Sequence, residues 1–168
     1  DRLRALDGLF VNLECCLSTR GSPWTETRRA FHFRADPDWA VPALTAAGVD
    51  YASLANNHVL DYGRPALFDT LASLDDAGIA RAGAGEDESA AREPAVVAVG
   101  DCTVAVVAFT DNTPEYAAGP GRPGTARVEF DVDDRETRRA VGDALARARE
   151  ADPALLVASL HWGPNMRG

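Results

Sequence analysis

The short apolar runs of this chain constrain its fold most strongly, because each of three such runs ends directly at polar side chains. Residues 9–13 lead to Glu14, residues 49–55 lead to Asn56, Asn57 and His58, and residues 154–160 lead to His161. Such runs are typical of buried strands. Between them, residues 36–48 and 64–78 carry the start and stop signals of helices, including Asp36-Pro37 and terminal glycines. The chain therefore alternates strand and helix.

The remaining segments fill in an α/β architecture. Two Val-rich runs, residues 95–99 and 103–109, flank Gly100-Asp101 and predict a β-hairpin. Further predictions are a strand at 79–82, a tight turn at 83–85, helices at 86–92 and 134–151, and loops at 18–29 and 111–125. This order predicts an α/β domain with a largely parallel sheet, helices on both of its faces and a hairpin at one side. The strand at 154–160 is expected to be buried.

Length, charge and cysteine content exclude several classes of protein. A chain of 168 residues fits one domain. The net charge of −9 disfavours nucleic acid as a partner, because such binding relies on Lys and Arg. The chain contains no apolar run of the roughly 18 residues that a membrane span requires, and no targeting signal is visible. Three cysteines do not form a disulfide framework.

Four polar residues that follow predicted strands should share one rim. In α/β sheets, ligands gather outside the carboxyl ends of the strands, which places Glu14, Asn57, His58 and His161 together. Carboxylate, amide and imidazole donors suit a divalent cation such as Mn²⁺, Fe²⁺ or Zn²⁺. Asp61 follows His58 by three residues, and a carboxylate beside an imidazole fixes its tautomer and prepares it as a general acid.

Simpler roles are open for each of these residues taken singly. Glu14 is also explained by a helix cap or a salt bridge, Asn57 by a turn, and each histidine by ordinary packing or a strand end. Cys15 and Cys16 offer another hydrolytic chemistry, with a thiol nucleophile and His58 or His161 as its base.

Several strings resemble the CapA family of capsule synthesis proteins. They are Asn12-Leu13-Glu14, Ser53-Leu54-Ala55-Asn56-Asn57-His58-Val59-Leu60-Asp61-Tyr62-Gly63, Gly83-Ala84-Gly85 and Leu160-His161-Trp162-Gly163. That family is similar to calcineurin-type metallophosphatases. The resemblance implies a layered α/β sandwich with a mixed, largely parallel sheet and a hairpin, and two divalent metals in the complete protein. It also implies a phosphoesterase-like hydrolase associated with poly-γ-glutamate capsule synthesis or export, at the bacterial cell envelope or its extracellular side.

The resemblance also assigns roles. Glu14, Asn57 and His161 would ligate metal, His58 would protonate the leaving group, and Asp61 would orient His58. Candidates for contacting a small or polymeric anionic substrate are Arg34, Arg92 and Asn56. Capsule biosynthesis proteins are the implied partners.

Two departures from the family pattern lead to the expectation of a single partial domain over residues 1–168. The first metal-binding Asp is expected upstream of Asp1 and the last His-containing loop downstream of Gly168, and Pro164 and Asn165 stand where the family often has an acidic residue. The sequence thus predicts a domain incomplete at both ends. The alternative is a non-catalytic module that binds an anionic polymer or supports assembly, with an eroded metal site.

Overall fold

The computed structural model of the chain describes residues 2–163, and this part has the predicted α/β architecture. The strands are β1 (Phe10–Asn12), β2 (Cys16–Leu17), β3 (Arg34–Ala35), β4 (Tyr51–Ser53), β5 (Ala80–Ala82), β6 (Ala84–Gly85), β7 (Ala95–Val99), β8 (Cys102–Thr110), β9 (Gly124–Thr125) and β10 (Leu155–His161). The α-helices are α1 (Pro37–Ala47), α2 (Gly63–Asp76), α3 (Glu88–Ala91) and α4 (Arg135–Glu150). Two 3-10 helices cover Leu3–Ala5 and Pro114–Tyr116.

The helix boundaries follow from local capping chemistry. The Asp36 side chain accepts a hydrogen bond from the Asp38 backbone N–H, and Pro37 occupies the first turn of α1. Gly48 ends α1 with φ of 81°, a left-handed conformation that glycine adopts without strain. Asp134 caps α4 in the same way as Asp36 caps α1, by accepting from the Thr137 N–H. The predicted helices at these positions are confirmed.

Two three-stranded sheets form the centre of the domain. One is fully parallel, in the order β1-β4-β5. The other has the order β10-β8-β7, in which β10 runs parallel to β8 and β7 pairs with β8 as the predicted antiparallel hairpin. Short pairs β2-β3 and β6-β9 flank them.

Alternating side chains show that the two sheets face each other. Along β8, Val104, Val106 and Ala108 pack with residues of β4, β5 and β7, whereas Ala105, Val107 and Phe109 pack with α4. On the first sheet, Tyr51 joins the inter-sheet core and Ala52 packs in the cluster that contains residues of α1 and α2. The layers are therefore helix, sheet, sheet, helix. The layered α/β sandwich with a hairpin that the resemblance implies is confirmed. Only the expectation of helices on both faces of the sheet is wrong, because each sheet has helices on its outer face only.

Three local predictions also need correction. The last strand, β10, is half-exposed: Leu155 is 56% exposed and Leu160 is 45% exposed, because β10 lies at the edge of its sheet. Residues 84–85 form β6, paired with β9, where a turn was expected. The loops predicted at 18–29 and 111–125 are largely irregular, but the second contains β9 and a 3-10 helix.

The two sheets bring their carboxyl ends to a common rim. Asn12 and Ser53 end the parallel strands β1 and β4, and Thr110 and His161 end the parallel strands β8 and β10. The Ser53 and Ser159 hydroxyl oxygens lie 3.2 Å apart across the sandwich. The polar residues that follow the strands are consequently collected at this rim. Across residues 2–163, every helix is too short or too polar to cross a bilayer.

Candidate metal and acid-base site

The loop after β4 and the end of β10 meet at the rim. Asn57 follows β4 and His161 ends β10, and His161 Nε2 lies 3.0 Å from Asn57 Oδ1. The Thr110 hydroxyl donates to the His161 carbonyl oxygen at 2.7 Å, which fixes the backbone of β10 at this point. Both side chains are largely shielded from solvent, with Asn57 only 8% exposed. The amide oxygen and the imidazole are thus preorganised beside each other.

Glu14 lies on the other side of the His161 ring. Its Oε1 is 3.7 Å from His161 Nδ1, and its Oε2 is 4.0 Å from His58 Nε2. The Asn12 amide nitrogen donates to Glu14 Oε1 at 2.7 Å and also lies 3.3 Å from His161 Nδ1. Glu14 therefore lies between the two histidines, and Asn12 orients it.

Asn56 is fully buried and connects the two loops of the rim. Its amide nitrogen donates to Asn12 Oδ1 at 3.1 Å and to the Leu13 carbonyl oxygen at 2.9 Å, and its Oδ1 accepts from the His58 N–H at 3.0 Å. All of these groups are satisfied and Asn56 has no exposed surface, so its side chain joins the loops after β1 and β4. The substrate contact expected of Asn56 stays a prediction.

His58 and Asp61 form a close buried pair. His58 Nδ1 lies 2.6 Å from Asp61 Oδ2, and Asp61 has no exposed surface. An ionised carboxylate only accepts hydrogen bonds, so this contact places the proton of the neutral ring on Nδ1 and leaves Nε2 free for exchange. The Phe33 ring packs against His58, with centroids 4.5 Å apart. The contact expected between Asp61 and His58 is present.

Three further groups converge on the Asp61 carboxylate. The Phe33 N–H donates to Oδ2 at 2.8 Å, the Tyr116 hydroxyl donates to Oδ1 at 3.1 Å, and Arg29 Nε lies 3.5 Å from Oδ1. Burial raises the pKa of Tyr116, and the charge of Asp61 raises it further, so the phenol stays a protonated donor. Asp61 is therefore held by groups from several distant segments.

The thiols are poorly suited to act as nucleophiles. Burial raises the pKa of Cys16 to about 12, and its Sγ lies 3.2 Å from the Val59 carbonyl oxygen. Burial also raises the pKa of Cys15, with a smaller contribution from the charge of Asp61. Since the thiolate is the nucleophile, both shifts disfavour a thiol hydrolase.

The two arginines expected near a substrate occupy different places. Arg34 is exposed in β3 and lies over the Tyr62 ring at 4.2 Å, close to the loop that carries His58. Arg92 pairs with Glu88 at 2.7 Å, and its carbonyl oxygen accepts from Arg147 of α4. Arg92 is thus placed at the junction of α3 and α4, apart from the contacts that join the other site residues.

The donor types at the rim fit a divalent cation in part. His161 Nε2 and Asn57 Oδ1 are hydrogen-bonded to each other at 3.0 Å, and both atoms are of the donor types that divalent cations accept in proteins. Glu14 is the nearest carboxylate to His161 among these residues. Within residues 2–163, no three His, Cys, Asp or Glu residues cluster closely enough to hold a metal ion by themselves. Asn57 would therefore be required as a ligand. Pro164 and Asn165 lie outside the described residues.

Sequence reasoning did not identify Asn12, Arg29 and Tyr116 as parts of the site. Asn12 directly precedes Leu13-Glu14, and a polar residue inside this apolar run was a signal that the sequence offered. Arg29 lies in an irregular segment and Tyr116 ends a three-residue 3-10 helix, and neither segment shows a periodic pattern. Their contacts with Asp61 span 32 and 55 residues of sequence. Only the fold reveals them.

Comparison with known proteins identifies relatives over nearly the whole chain. A probable polyglutamine synthesis accessory protein of Mycobacterium tuberculosis is 37% identical over 166 residues, covering 96% of this chain and 42% of that protein. The capsule biosynthesis protein CapA of Bacillus anthracis is 30% identical over 127 residues, covering 73% of this chain and 29% of CapA. An uncharacterized protein of Sinorhizobium fredii is 34% identical, covering 85% of this chain and 34% of that protein.

The chain thus spans less than half the length of these relatives. The family model described as bacterial capsule synthesis protein PGA_cap matches residues 1–167. The resemblance of the Asn-Asn-His and His-Trp-Gly strings is thereby confirmed at the level of the family. This chain belongs to the bacterial capsule synthesis protein family PGA_cap.

Proposed function

We propose that this chain forms part of a metal-dependent hydrolase that acts on an anionic substrate in poly-γ-glutamate capsule synthesis or export. The geometry of His58 is the main observation that supports this proposal. Its Nδ1 is held 2.6 Å from buried Asp61, while its Nε2 lies 4.0 Å from Glu14 on the rim that also holds Asn57 and His161. An imidazole with one nitrogen anchored and the other free is suited to general acid-base catalysis.

Each residue then has a chemical task. Asn57 and His161, with Glu14 nearby, would hold a divalent cation such as Mn²⁺, Fe²⁺ or Zn²⁺. Such an ion lowers the pKa of water and stabilises developing negative charge. In the net reaction, one water molecule hydrolyses the scissile bond. Its hydroxide adds to the phosphorus or the carbonyl carbon, and a proton is transferred to the leaving oxygen or nitrogen. His58 acts with a proton on each ring nitrogen: the Nδ1 proton stays in the hydrogen bond to Asp61, which orients the ring, and the Nε2 proton passes to the leaving atom. The proton that the attacking water releases then restores Nε2. Two ions in the complete protein are part of the proposal.

Supporting arguments for an anionic substrate come from the family and from the local charges. The family description and the name of the mycobacterial relative both concern capsule or polymer synthesis. Arg34 is an exposed cation near the His58 loop and is the proposed contact for a phosphate or carboxylate. Arg92 lies apart from the rim and would contact only a more distant part of a polymeric substrate. Other capsule biosynthesis proteins are the proposed partners.

The test uses the full-length protein. Metal content after loading with Mn²⁺ or Zn²⁺ is measured by elemental mass spectrometry, and hydrolysis is measured with a nitrophenyl phosphodiester and with a γ-glutamyl peptide. Asn57→Ala and His161→Ala should both lose metal and activity. His58→Gln should keep its metal but lose activity by about 10²–10⁴-fold, the usual contribution of a general acid.

His32→Ala is the matched control. This histidine lies in the neighbouring loop, with its Nε2 2.9 Å from the Trp24 carbonyl oxygen, and has no task in the proposed reaction. Its variant should keep both metal and rate. If the folded parent binds no metal specifically, or if His58→Gln retains the full rate, the hydrolase proposal fails.

One observation favours a second function, a non-catalytic module that binds an anionic polymer. Residues 2–163 supply no cluster of three His, Cys, Asp or Glu residues at metal-binding distance, as an eroded metal site would. Such a module would bind poly-γ-glutamate without any added metal. Titration of the metal-free protein with the polymer, in parallel with the metal analysis, distinguishes the two functions.

A further inference from the structure

We propose that Arg29 is a positioning residue that couples the His58–Asp61 pair to the backbone of Asn57. The inference rests on the proposed function, because it concerns the geometry of the same site. Arg29 belongs to the irregular segment between β2 and β3, and nothing in the sequence pattern distinguishes it from the exposed Arg28 beside it.

Arg29 contacts two different segments, the loop after β4 and the loop after β8, with three different nitrogens. Nε lies 3.5 Å from Asp61 Oδ1, Nη1 donates to the Thr113 hydroxyl oxygen at 3.2 Å, and Nη2 donates to the Asn57 carbonyl oxygen. The guanidinium carbon also lies 4.8 Å from the centre of the Tyr116 ring. The side chain is only 10% exposed.

The charge of Arg29 has a specific counterpart in the buried Asp61. Asp61 is fully buried, and Arg29 is the guanidinium that lies beside it, whereas Phe33 and Tyr116 provide neutral donors. An unpaired buried carboxylate is strongly unfavourable, so loss of Arg29 would favour rotation of the Asp61 side chain away from its present position. That rotation removes the acceptor that holds the proton of His58 on Nδ1.

The contact between Arg29 and the Asn57 carbonyl oxygen explains why loss of Arg29 would also affect the proposed metal ligand. Arg29 Nη2 fixes the carbonyl group of Asn57, the residue whose side chain lies 3.0 Å from His161. One guanidinium therefore joins the Asp61 carboxylate, which orients His58, to the backbone of the proposed ligand Asn57. A lysine offers one nitrogen and cannot reproduce this planar fork, so the exchange of Arg29 for Lys is not conservative here.

The test measures the His58 ring directly, so that it does not depend on hydrolysis. Ring ¹⁵N chemical shifts of selectively labelled histidines report which nitrogen carries the proton. They are recorded on the full-length protein, with Arg29→Ala, Arg29→Lys and, as the matched control, Arg28→Ala. His58→Gln assigns the signal. Hydrolysis rates are measured in parallel, and guanidinium chloride at low concentration is added to the Ala variants as a chemical replacement for the missing group.

In the parent, His58 should show a single tautomer with the proton on Nδ1. Arg29→Ala and Arg29→Lys should show a mixture of tautomers and a rate reduced by about 100-fold, as expected when a catalytic group is displaced by about 1 Å. Guanidinium should restore the Arg29→Ala signal, and Arg28→Ala should match the parent throughout.

A purely structural role for Arg29 would reduce stability and leave the ring unchanged. An unaltered His58 tautomer in folded Arg29→Ala, or in Arg29→Lys where the alanine variant does not fold, therefore overturns the inference. If the parent hydrolyses nothing, the proposed function fails, while the ring measurement still decides whether Arg29 positions His58.

Discussion

His161 Nε2 lies 3.0 Å from Asn57 Oδ1, although 104 residues separate the two in sequence. Asn57 follows a strand of the parallel sheet, whereas His161 ends a strand of the mixed sheet. Their contact therefore exists only while the two sheets are packed together. His58 and Asp61 differ, because they are three residues apart in one loop. The contact between Asn57 and His161 depends on the whole sandwich, and the contact between His58 and Asp61 depends on the groups packed around their loop.

The first prediction concerns Asp61→Asn. The substitution leaves the Arg29 guanidinium buried without its counter-charge, and breaking a buried pair costs on the order of 3–5 kcal/mol. Urea unfolding should show a loss of about this size. An amide in place of the carboxylate also no longer fixes the proton on His58 Nδ1, so the hydrolysis rate of the full-length protein should fall even at temperatures where the variant is folded.

Asp69→Asn is the matched control for that substitution. Asp69 pairs with Arg20, whose side chain is 65% exposed, so water screens the interaction. The control should lose much less stability than Asp61→Asn and keep the full rate. Equal losses in the two variants would contradict the special role assigned to the buried Asp61.

The second prediction concerns Tyr116→Phe. The hydroxyl of Tyr116 donates to Asp61 Oδ1 at 3.1 Å, and a hydrogen bond to a charged group contributes about 1.5–3 kcal/mol. The ring, which packs against Trp24 with centroids 4.9 Å apart, is retained. The free energy of unfolding should therefore fall by about that amount, measured by urea denaturation. Tyr62→Phe, which keeps the ring under Arg34, should change it little.

The sequence was sufficient to predict elements with a strong local signal. The apolar runs before Glu14, Asn57 and His161 are strands, and Asp36-Pro37 and Gly48 delimit α1. Capping and strand ends depend on neighbouring residues, which sequence patterns report directly.

Long-range relationships were not predictable in the same way. Every residue from Val104 to Phe109 is apolar, which shows that both faces of β8 are buried but not that one face meets a sheet and the other a helix. Two-residue strands such as β6 are too short to show a period. Arg29 reaches Asp61 across 32 residues, and an exposed arginine would have the same sequence signature.

The third prediction concerns thiol reactivity. Cys102 is exposed, whereas Cys16 is fully buried and has its pKa raised by burial to about 12. At pH 8, iodoacetamide followed by peptide mass spectrometry should label Cys102 readily and Cys16 only after unfolding. Cys16→Ala should retain the hydrolysis rate of the full-length protein. Rapid labelling of native Cys16 with loss of activity would restore the thiol hydrolase hypothesis.

The same shift of the Cys16 pKa predicts a pH dependence of stability. A group whose pKa is raised on folding contributes fully below its unfolded value and loses that contribution as the pH rises through the folded value. For Cys16 the window extends from about 9.0 to about 12. The free energy of unfolding should decline over this range, and the decline should be smaller in Cys16→Ala than in the parent. Cys102→Ala is the control and should follow the parent.

The fourth prediction compares two glycines with positive φ. Gly83 has φ of 97°, and a Cβ atom there would lie 2.6 Å from the Ala55 backbone nitrogen and 3.0 Å from Ala108 Cβ. Gly78 has φ of 68°, and a Cβ atom there would meet nothing within 4 Å. Gly78→Ala therefore measures backbone strain alone, about 1–2 kcal/mol. Gly83→Ala adds crowding between the two sheets, which costs about a further 1–3 kcal/mol.

Gly83→Ala should also disturb the site, because Ala55 is two residues before Asn57. A shift of the Ala55 backbone would move the Asn57 amide away from His161, so metal content in the full-length protein should fall in Gly83→Ala and remain at the parent level in Gly78→Ala. Urea unfolding and elemental mass spectrometry on the two variants separate these effects. Equal stability losses and equal metal contents would show that close packing at Gly83 does not hold the Asn57 loop in place.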